Sequence, residues 1–458
     1  MNRISRITTG ALIATAVLFI APAYAEVQFK WAPYLRLRHE LWSDVFDMDK
    51  SVKNNRSFFR IKTSVWGQAD VDEDLTLFAK LSDEFRAYTY FGGTSSAAPD
   101  KSGSKKGYHF DINEVVFDNL YMDLRNFLEY PLDLRIGRQD LLFEYGEGFL
   151  IMEGTPQDGS RTYYFNAAKA NWKVNEKNQL DILYINNPRS EKFFPVINRA
   201  KLKQQANLSL DKAPQALNTT DEQGGVLYWK NKAIENLKLE AYYIFKNEED
   251  GGAGLQAQKG KINTFGFFTK YDLSSWTARG QFAYQTGNYG ENDRQGFGGY
   301  TFLDKCFKDV CWLPQVSMGY IYLSGDDQKT GKNEAWDPLF SRWNWVSELY
   351  VLSIGTDTGV LGYWTNLGIL RAELLLKPTD KMKLSFWYNY LRANEQASRS
   401  AILSGEGKDR GHLPQARIDY FFNKTVSAYF LAEYLFAGDF YRNRDNAVFL
   451  RTELQFKF

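Results

Sequence analysis

The sequence predicts an all-β fold, a transmembrane antiparallel β-barrel of about 18 strands with short periplasmic turns and long extracellular loops. Three observations lead to this prediction. Apolar and polar side chains alternate in segment after segment. The connections between these segments are short and long in turn, as in outer-membrane barrels. Aromatic residues make up 16% of the chain although only 44% of residues are hydrophobic, which is typical of apolar surface confined to every second residue.

The first 25 residues have the layout of a secretory signal peptide. Arg3 and Arg6 precede an apolar run, and the small residues Ala23 and Ala25 follow it. The run is shorter than the ~20 residues that a membrane-spanning helix needs. We therefore predict a cleaved signal peptide over 1–25 and one barrel domain over 26–458. Without two arginines the domain has 54 basic and 55 acidic side chains, a balance that gives no reason to expect nucleic-acid binding.

The first predicted strand shows the alternation clearly. In "YLRLRHEL", Leu35 and Leu37 point to one side of the strand, and Arg36 and Arg38 point to the other. Further segments with this period are, in chain order, "FFRIKTSVWGQADV", "VVFDNLYMDLRNF", "LDLRIG", "AAKANWKV", "LKLEAYYIF", "KINTFGFFTKY", "WTARGQFAYQ", "QVSMGYIYL", "GILRAELLLK", "MKLSFWYNY", "QARIDYFF", "VSAYFLAEYLF" and "AVFLRTELQFKF".

The connections have a period of their own. The short ones are 72–74, 128–131, 175–178, 234–236, 274–275, 307–310, 378–381 and 423–425. The long, polar and Gly-rich ones are 46–57, 91–110, 142–161, 187–223, 248–259, 287–295, 325–362, 392–411 and 438–446. A barrel with all its long loops at one end and both termini at the other is typical of the outer membrane of Gram-negative bacteria.

The C-terminus provides the closing strand. Because every backbone polar group must be paired in lipid, the last strand has to pair with the first. Phe458, with Phe456 and Leu454 at two-residue spacing, is similar to the C-terminal signal by which the barrel-assembly machinery recognises its substrates.

The two cysteines, Cys306 and Cys311, lie five positions apart at a predicted periplasmic turn. In an oxidising compartment this spacing favours a disulfide that closes the turn, and free thiols are the alternative. Two thiols without neighbouring histidines make a poor metal site, so we predict neither a metal nor a cofactor.

A barrel of this size leaves an aqueous channel, so the inward residues decide what it does. Many stand as pairs of opposite charge two positions apart, which either neutralise one another or form a basic track for an anionic solute. Arginines are concentrated on the first two and last three strands, which become neighbours on closure, and this favours the track. The predicted inward basic residues are Arg36, Arg38, Arg60, Lys62, Lys80, Arg86, Arg135, Lys169, Arg371, Lys383, Arg417 and Arg451.

Two stretches resemble the alginate-export family of outer-membrane barrels. In "LRIGRQDLLFEYGEGFLIMEGTPQDGSR", the family pattern corresponds to Gly137, Arg138, Gln139, Asp158 and Arg161, and "YLSGDDQKTGKNEAWDPLFSRW" is the second match. The resemblance implies an 18-stranded monomeric pore that passes an anionic polysaccharide such as alginate.

Arg138 breaks the alternation set by Arg135, which predicts a bulge or a strand end that turns both toward the lumen. Alternatively, Arg138, Asp158 and Arg161 only hold the following loop in place. The long periplasmic turn of well-known alginate exporters has no counterpart among the short turns of this chain.

Three other classes of function compete with polysaccharide export. A porin, either general or selective for sugars or small organic acids, remains the alternative; for sugars, the inward aromatic residues Trp66, Phe78, Trp387 and Tyr429 are candidates for a track, and 187–223 or 325–362 for a constriction loop. An enzyme is disfavoured, because the three histidines have no nucleophile motif beside them. An inert structural barrel would differ from all of these in not conducting.

Overall fold

The computed structural model describes residues 27–91, 109–111, 115–152, 159, 164–195, 220–249 and 258–458. Its strand segments are β1 (Gln28–Ser43), β2 (Arg56–Asp70), β3 (Leu75–Phe91), β4 (His109–Asp111), β5 (Val116–Leu124), β6 (Leu132–Asp140), β7 (Tyr164–Asn175), β8 (Asn178–Asn187), β9 (Glu222–Asn231), β10 (Leu237–Glu248), β11 (Gly260–Leu273), β12 (Trp276–Tyr289), β13 (Asn292–Cys306), β14 (Gln315–Leu323), β15 (Leu367–Thr379), β16 (Met382–Arg392), β17 (Asp409–Phe421), β18 (Val426–Ala437) and β19 (Ala447–Lys457).

These segments form one antiparallel sheet that closes into a barrel, since β1 pairs with both β2 and β19. Segments β4 and β5 both pair with β3 and make one interrupted strand, so the described residues build a wall of 18 strands. The closing seam runs without interruption from Tyr34 opposite Lys457 to Ser43 opposite Val448. The predicted fold class, strand number and terminal pairing are confirmed.

The outer surface is apolar, as lipid requires. Leu37, Phe59, Val65, Phe265 and Phe267 are all exposed on the outside of the wall, while their sequence neighbours point inward. The described residues also include one α-helix, α1 (Tyr350–Thr358), and two 3₁₀ turns, Phe127–Glu129 and Gly146–Gly148. No helix in the described part is long and apolar enough to cross a membrane.

Short connections collect at the end of the barrel that holds both termini, and this is the periplasmic end. One of the nine predicted long connections is wrong. The stretch 287–295 is a turn of two residues, because β12 continues to Tyr289 and β13 begins at Asn292. The polar residues of "NYGENDRQG" therefore belong to the strand ends and to the tight turn between them.

The predicted disulfide is also wrong, because Cys306 and Cys311 are both free thiols. Cys306 ends β13 and pairs across the ladder with Gln315, and the hairpin continues one step further through a hydrogen bond from the Phe307 amide to the Pro314 carbonyl. The position opposite Cys306 is thus residue 315, whereas Cys311 lies at the exposed tip of the turn.

The hydrophobic core of the molecule lies inside the barrel. It combines inward side chains of the strands with residues 141–152 of the β6–β7 connection and with the β14–β15 connection, 324–366, which we call the inner loop. The two connections pair with each other, since the Met152 amide donates to the Phe340 carbonyl and the Phe340 amide to Leu150. Phe340 packs against the core-facing Phe165. Of the two candidate constriction loops, 325–362 therefore folds into the lumen; most of 187–223 lies outside the described residues.

Candidate pore lining

The basic residues of β19, β1, β2 and β3 come together because the closing seam places these strands side by side. One row across the ladder holds Glu453, Arg38, Arg60 and Arg86 as direct neighbours, and the next holds Arg36 opposite Lys62. We call the set the basic wall; its members are Arg36, Arg38, Arg60, Lys62, Lys80, Arg86 and Arg451. Like charges directly opposite one another destabilise a sheet, so the row requires anions close by.

Three buried carboxylates supply those anions. Glu40 accepts from Arg451 at 2.7 Å and from Arg38 and Arg60 at 3.5 Å. Glu84 accepts from Arg60 at 2.6 Å and from Arg36. Glu453 accepts from Arg38, with Arg36 3.9 Å away.

The depth of these groups decides which charge faces the water. The side chains of Glu40 and Glu84 are fully buried and that of Glu453 is 1% exposed, whereas those of Arg36 and Arg38 are 12% exposed. The carboxylates therefore lie beneath the guanidinium groups. The cluster is closely paired, yet the surface that it presents to the lumen is cationic.

A second cluster repeats this arrangement nearer the periplasmic end. Asp118 is fully buried and accepts from Lys80 at 2.8 Å, with Lys62 3.6 Å away. The Lys80 side chain is 22% exposed, so the ammonium group is again the accessible partner.

The inner loop reaches the basic wall through one acidic residue. Glu348 accepts from Arg451, with the second contact at 3.0 Å. Beside it, the Ser347 hydroxyl and the Leu349 amide both donate to Glu433 on β18 at 2.6 Å. The loop thus carries a carboxylate to the edge of the cationic surface.

A buried ion cluster holds the other half of the inner loop. Asp337 lies 3.4 Å from Arg294 and 3.7 Å from Lys246, and the Tyr363 hydroxyl donates to it at 2.7 Å. Burial opposes ionisation of Asp337, but these partners outweigh it, so the pKa of Asp337 lies below its ordinary value. Glu222 adds contacts to Lys246 at 3.2 Å and to Arg342 at 3.0 Å.

Arg410 of the barrel wall holds helix α1 through residues near both of its ends. Asp357 accepts from Arg410 of β17 at 2.5 Å, and the same guanidinium donates to the Tyr350 hydroxyl at 3.0 Å. Burial raises the pKa of Asp357 despite the arginine beside it.

The other sequence-predicted basic residues lie apart from the basic wall. Arg135 pairs with Asp123 at 2.6 Å. Arg371 donates to Glu373 at 2.5 Å and to the Val346 carbonyl of the inner loop at 3.2 Å.

Two further predicted basic residues each have one acidic partner. Lys169 reaches Glu144 at 2.7 Å. Arg417 pairs with Asp419 at 2.5 Å, near the periplasmic end.

The bulge predicted at Arg138 is not formed. The β6–β7 register is continuous from Leu132 opposite Trp172 to Asp140 opposite Tyr164, so Arg138 points to the face opposite to that of Arg135. Its side chain is fully buried.

Groups from other segments cover the Arg138 guanidinium on the outer face. It donates to Glu191 at 2.9 and 3.0 Å, to Asn166 at 2.9 Å and to the Phe117 carbonyl at 2.9 Å. These contacts are those of a residue that holds the following segments in place.

The remaining motif residues have less to do with the lumen charge. Gly137 has φ +129° and would clash with the Leu120 carbonyl if it carried a Cβ, which explains why glycine stands there. Gln139 donates to the Ala167 carbonyl at 3.0 Å. Asp158 and Arg161 lie outside the described residues.

The sequence reasoning missed Glu348 and the Asp337 cluster. Both lie in a connection that pairs with strands far away in sequence, Glu348 with Arg451 at a separation of 103 residues. The available signal was the density of Trp and Phe in "AWDPLFSRWNW", which is unusual for a solvated loop.

Comparison with known proteins agrees with this architecture. The family model described as Alginate export matches residues 35–452. The curated proteins give no match.

Solved structures with the same fold include OccK7 (OpdD) of Pseudomonas aeruginosa, with a TM-score of 0.56 at 10% identity over 95% of this chain and 99% of that one. OccAB4 of Acinetobacter baumannii has a TM-score of 0.54 at 11% identity over 94% and 98%. At this identity they show the fold alone. The family match covers nearly the whole chain, so the protein belongs to the alginate export family and is an outer-membrane channel.

Proposed function

We propose that the channel passes an anionic polysaccharide of the alginate type, or a related anionic solute, along the basic wall. The observation that carries the proposal is the layering of charge, with buried carboxylates beneath guanidinium groups that reach the lumen. The carboxylates that pair with the basic wall include Glu40, Glu84, Asp118 and Glu453, and the first two have fully buried side chains. Arginine suits this role because its planar fork matches a carboxylate.

A second candidate is a selective channel for small organic acids. The inner loop supports it, because a lumen narrowed by a packed loop favours small solutes over a polymer chain. A lengthwise sugar track has less support. Trp66, Phe78 and Tyr121 stack at centroid distances of 5.8 and 4.9 Å, but they follow one another across β2, β3 and β5, around the wall and not along its axis.

We further propose that the channel works as a monomer and that the barrel-assembly machinery recognises its C-terminus. Phe458 follows the last residue of β19 and is 70% exposed at the periplasmic end, where such a factor would meet it.

Single-channel recording of the refolded protein in a planar bilayer tests the proposal. With a salt gradient, we expect a reversal potential of the sign that anion preference gives, and with oligouronates we expect concentration-dependent block. A conductance without ion preference and indifferent to oligouronates would refute the anionic track and favour a general porin. Block by small dicarboxylates but not by oligouronates would favour the second candidate.

A further inference from the structure

A cavity of about 480 Å³ opens on the lumen at the periplasmic end, between β16 and β19. It lies beside the basic wall, since β19 belongs to both. Its lining residues are Lys383, Ser385, Trp387, Arg417, Asp419, Phe421, Ser427, Ala428, Tyr429, Gln455 and Lys457.

Arg417 in this cavity is more accessible than Arg38 of the basic wall and than Arg371, which lies apart from that wall. The Arg417 side chain is 35% exposed, against 11% for Arg371 and 12% for Arg38. Its Nε and Nη2 donate to Asp419, and within the described part of the chain Nη1 has no partner. Lys383 likewise makes no ion pair with a described residue. A carboxylate could therefore bind here without displacing a buried ion pair.

Aromatic rings stand next to these cations. The Arg417 guanidinium lies 3.8 Å from the centre of the Tyr429 ring, which fixes its plane and its position. Trp387 is partly exposed on the adjacent strand, with the Arg371 guanidinium 5.9 Å from its ring. The exposed part of such an indole offers a flat apolar surface to the C–H groups of a pyranose ring.

Flat aromatic surface beside accessible cationic donors, the Arg417 Nη1 and the Lys383 ammonium group, suits a carboxylated sugar better than either a neutral sugar or a small anion. We infer that this cavity is a capture subsite for one hexuronate residue at the periplasmic mouth, with Trp387 as the platform for the ring and Arg417 and Lys383 as ligands of the carboxylate. The inference rests on the proposed function and adds to it the place where the substrate first binds, at the periplasmic end of the barrel. With a subsite at one end only, the channel should bind substrate more tightly from the periplasmic side than from the outside.

The test measures block of single channels by hexauronate added to one side at a time, with maltohexaose as the neutral probe of equal length. For the unmodified chain we expect half-block at a lower hexauronate concentration from the periplasmic side than from the other. Trp387→Ala should raise the periplasmic half-blocking concentration about tenfold, and Trp387→Phe should restore most of the loss because it keeps a flat ring. Trp172→Ala, a tryptophan at the same end but on the outer surface, should change nothing.

The role of Arg417 as a ligand of the carboxylate is tested by comparing the charged and the neutral oligomer. Arg417→Gln should raise the hexauronate half-blocking concentration about tenfold and leave that of maltohexaose unchanged. Equal block from both sides, or the same result for Trp387→Ala as for Trp172→Ala, would overturn the subsite.

Failure of the subsite and failure of the proposed function give different results. A channel that prefers anions and passes hexauronate but ignores Trp387 contradicts only the subsite. A channel without anion preference that is still blocked from the periplasmic side through Trp387 contradicts only the anionic path.

Discussion

Reversing the charge of Arg417 should change ion selectivity by an amount that can be worked out. Because its side chain is 35% exposed, water is the appropriate medium for the interaction. A monovalent ion passing about 8 Å away interacts with one unit charge by about 0.5 kcal/mol. A Debye length of about 10 Å at 0.1 M salt reduces this to about 0.2 kcal/mol.

Arg417→Glu changes the charge by two units, and anions and cations respond in opposite directions. The anion-to-cation permeability ratio should therefore fall about fivefold at 0.1 M salt, but only about 1.3-fold at 1 M, where the Debye length is about 3 Å. Arg417→Gln should give about half the effect on a logarithmic scale. The assay is the zero-current potential across a planar bilayer with a salt gradient.

The control is Lys329→Glu, at an exposed position of the inner loop, which should leave the ratio unchanged. An unchanged ratio for Arg417→Glu at 0.1 M, or a change that persists at 1 M, would refute the reasoning. The double reversal of Arg371 and Arg417 should shift selectivity further toward cations. Arg371 also holds the Val346 carbonyl, so the single variant isolates the effect of charge.

Three other substitutions test the inner loop and the C-terminus. Asp337→Asn removes the carboxylate that pairs with the buried Arg294, which costs about 3–5 kcal/mol; we expect increased proteolysis of the loop in the intact barrel, and unchanged proteolysis would contradict the anchoring role. Glu348→Gln removes the carboxylate on Arg451 and should raise both conductance and anion preference, whereas Glu334→Gln, at a partly exposed position of the loop that is not paired with the basic wall, should not; a fall in anion preference would contradict the assignment. Deletion of Phe458 should lower the amount of barrel in the outer membrane without altering the conductance of refolded protein, as measured by heat-modifiable migration on gels, and an unchanged amount would argue against recognition.

The direction of most side chains in the barrel wall could be predicted from sequence, because successive residues of a strand point to opposite faces. Alternation with period two places Arg36, Arg38 and Arg60 on one face whatever the rest of the chain does, and closure makes β19 the neighbour of β1. The same rule, applied strictly, also gives the outward direction of Arg138, and the prediction went wrong where it invoked a bulge instead.

The interior could not be predicted in this way. Whether a long connection stays outside or folds into the lumen depends on partners contributed by many strands, such as Lys246 and Arg294 for Asp337. The sequence also shows that Glu40 and Arg38 share a face, but not that the carboxylate lies beneath the guanidinium. How deeply a side chain is buried within the inward layer depends on how its neighbours pack, and no periodic pattern in the sequence reports this.

The most direct test of the central claim is transport itself. The purified channel is placed in liposomes that contain a labelled hexauronate, and its release is compared with that of labelled maltohexaose of the same length. If the basic wall is an anion path, hexauronate should leave faster than the neutral oligomer at 0.1 M salt, and the difference should shrink at 1 M. Equal release of the two, or faster release of maltohexaose, would contradict the account.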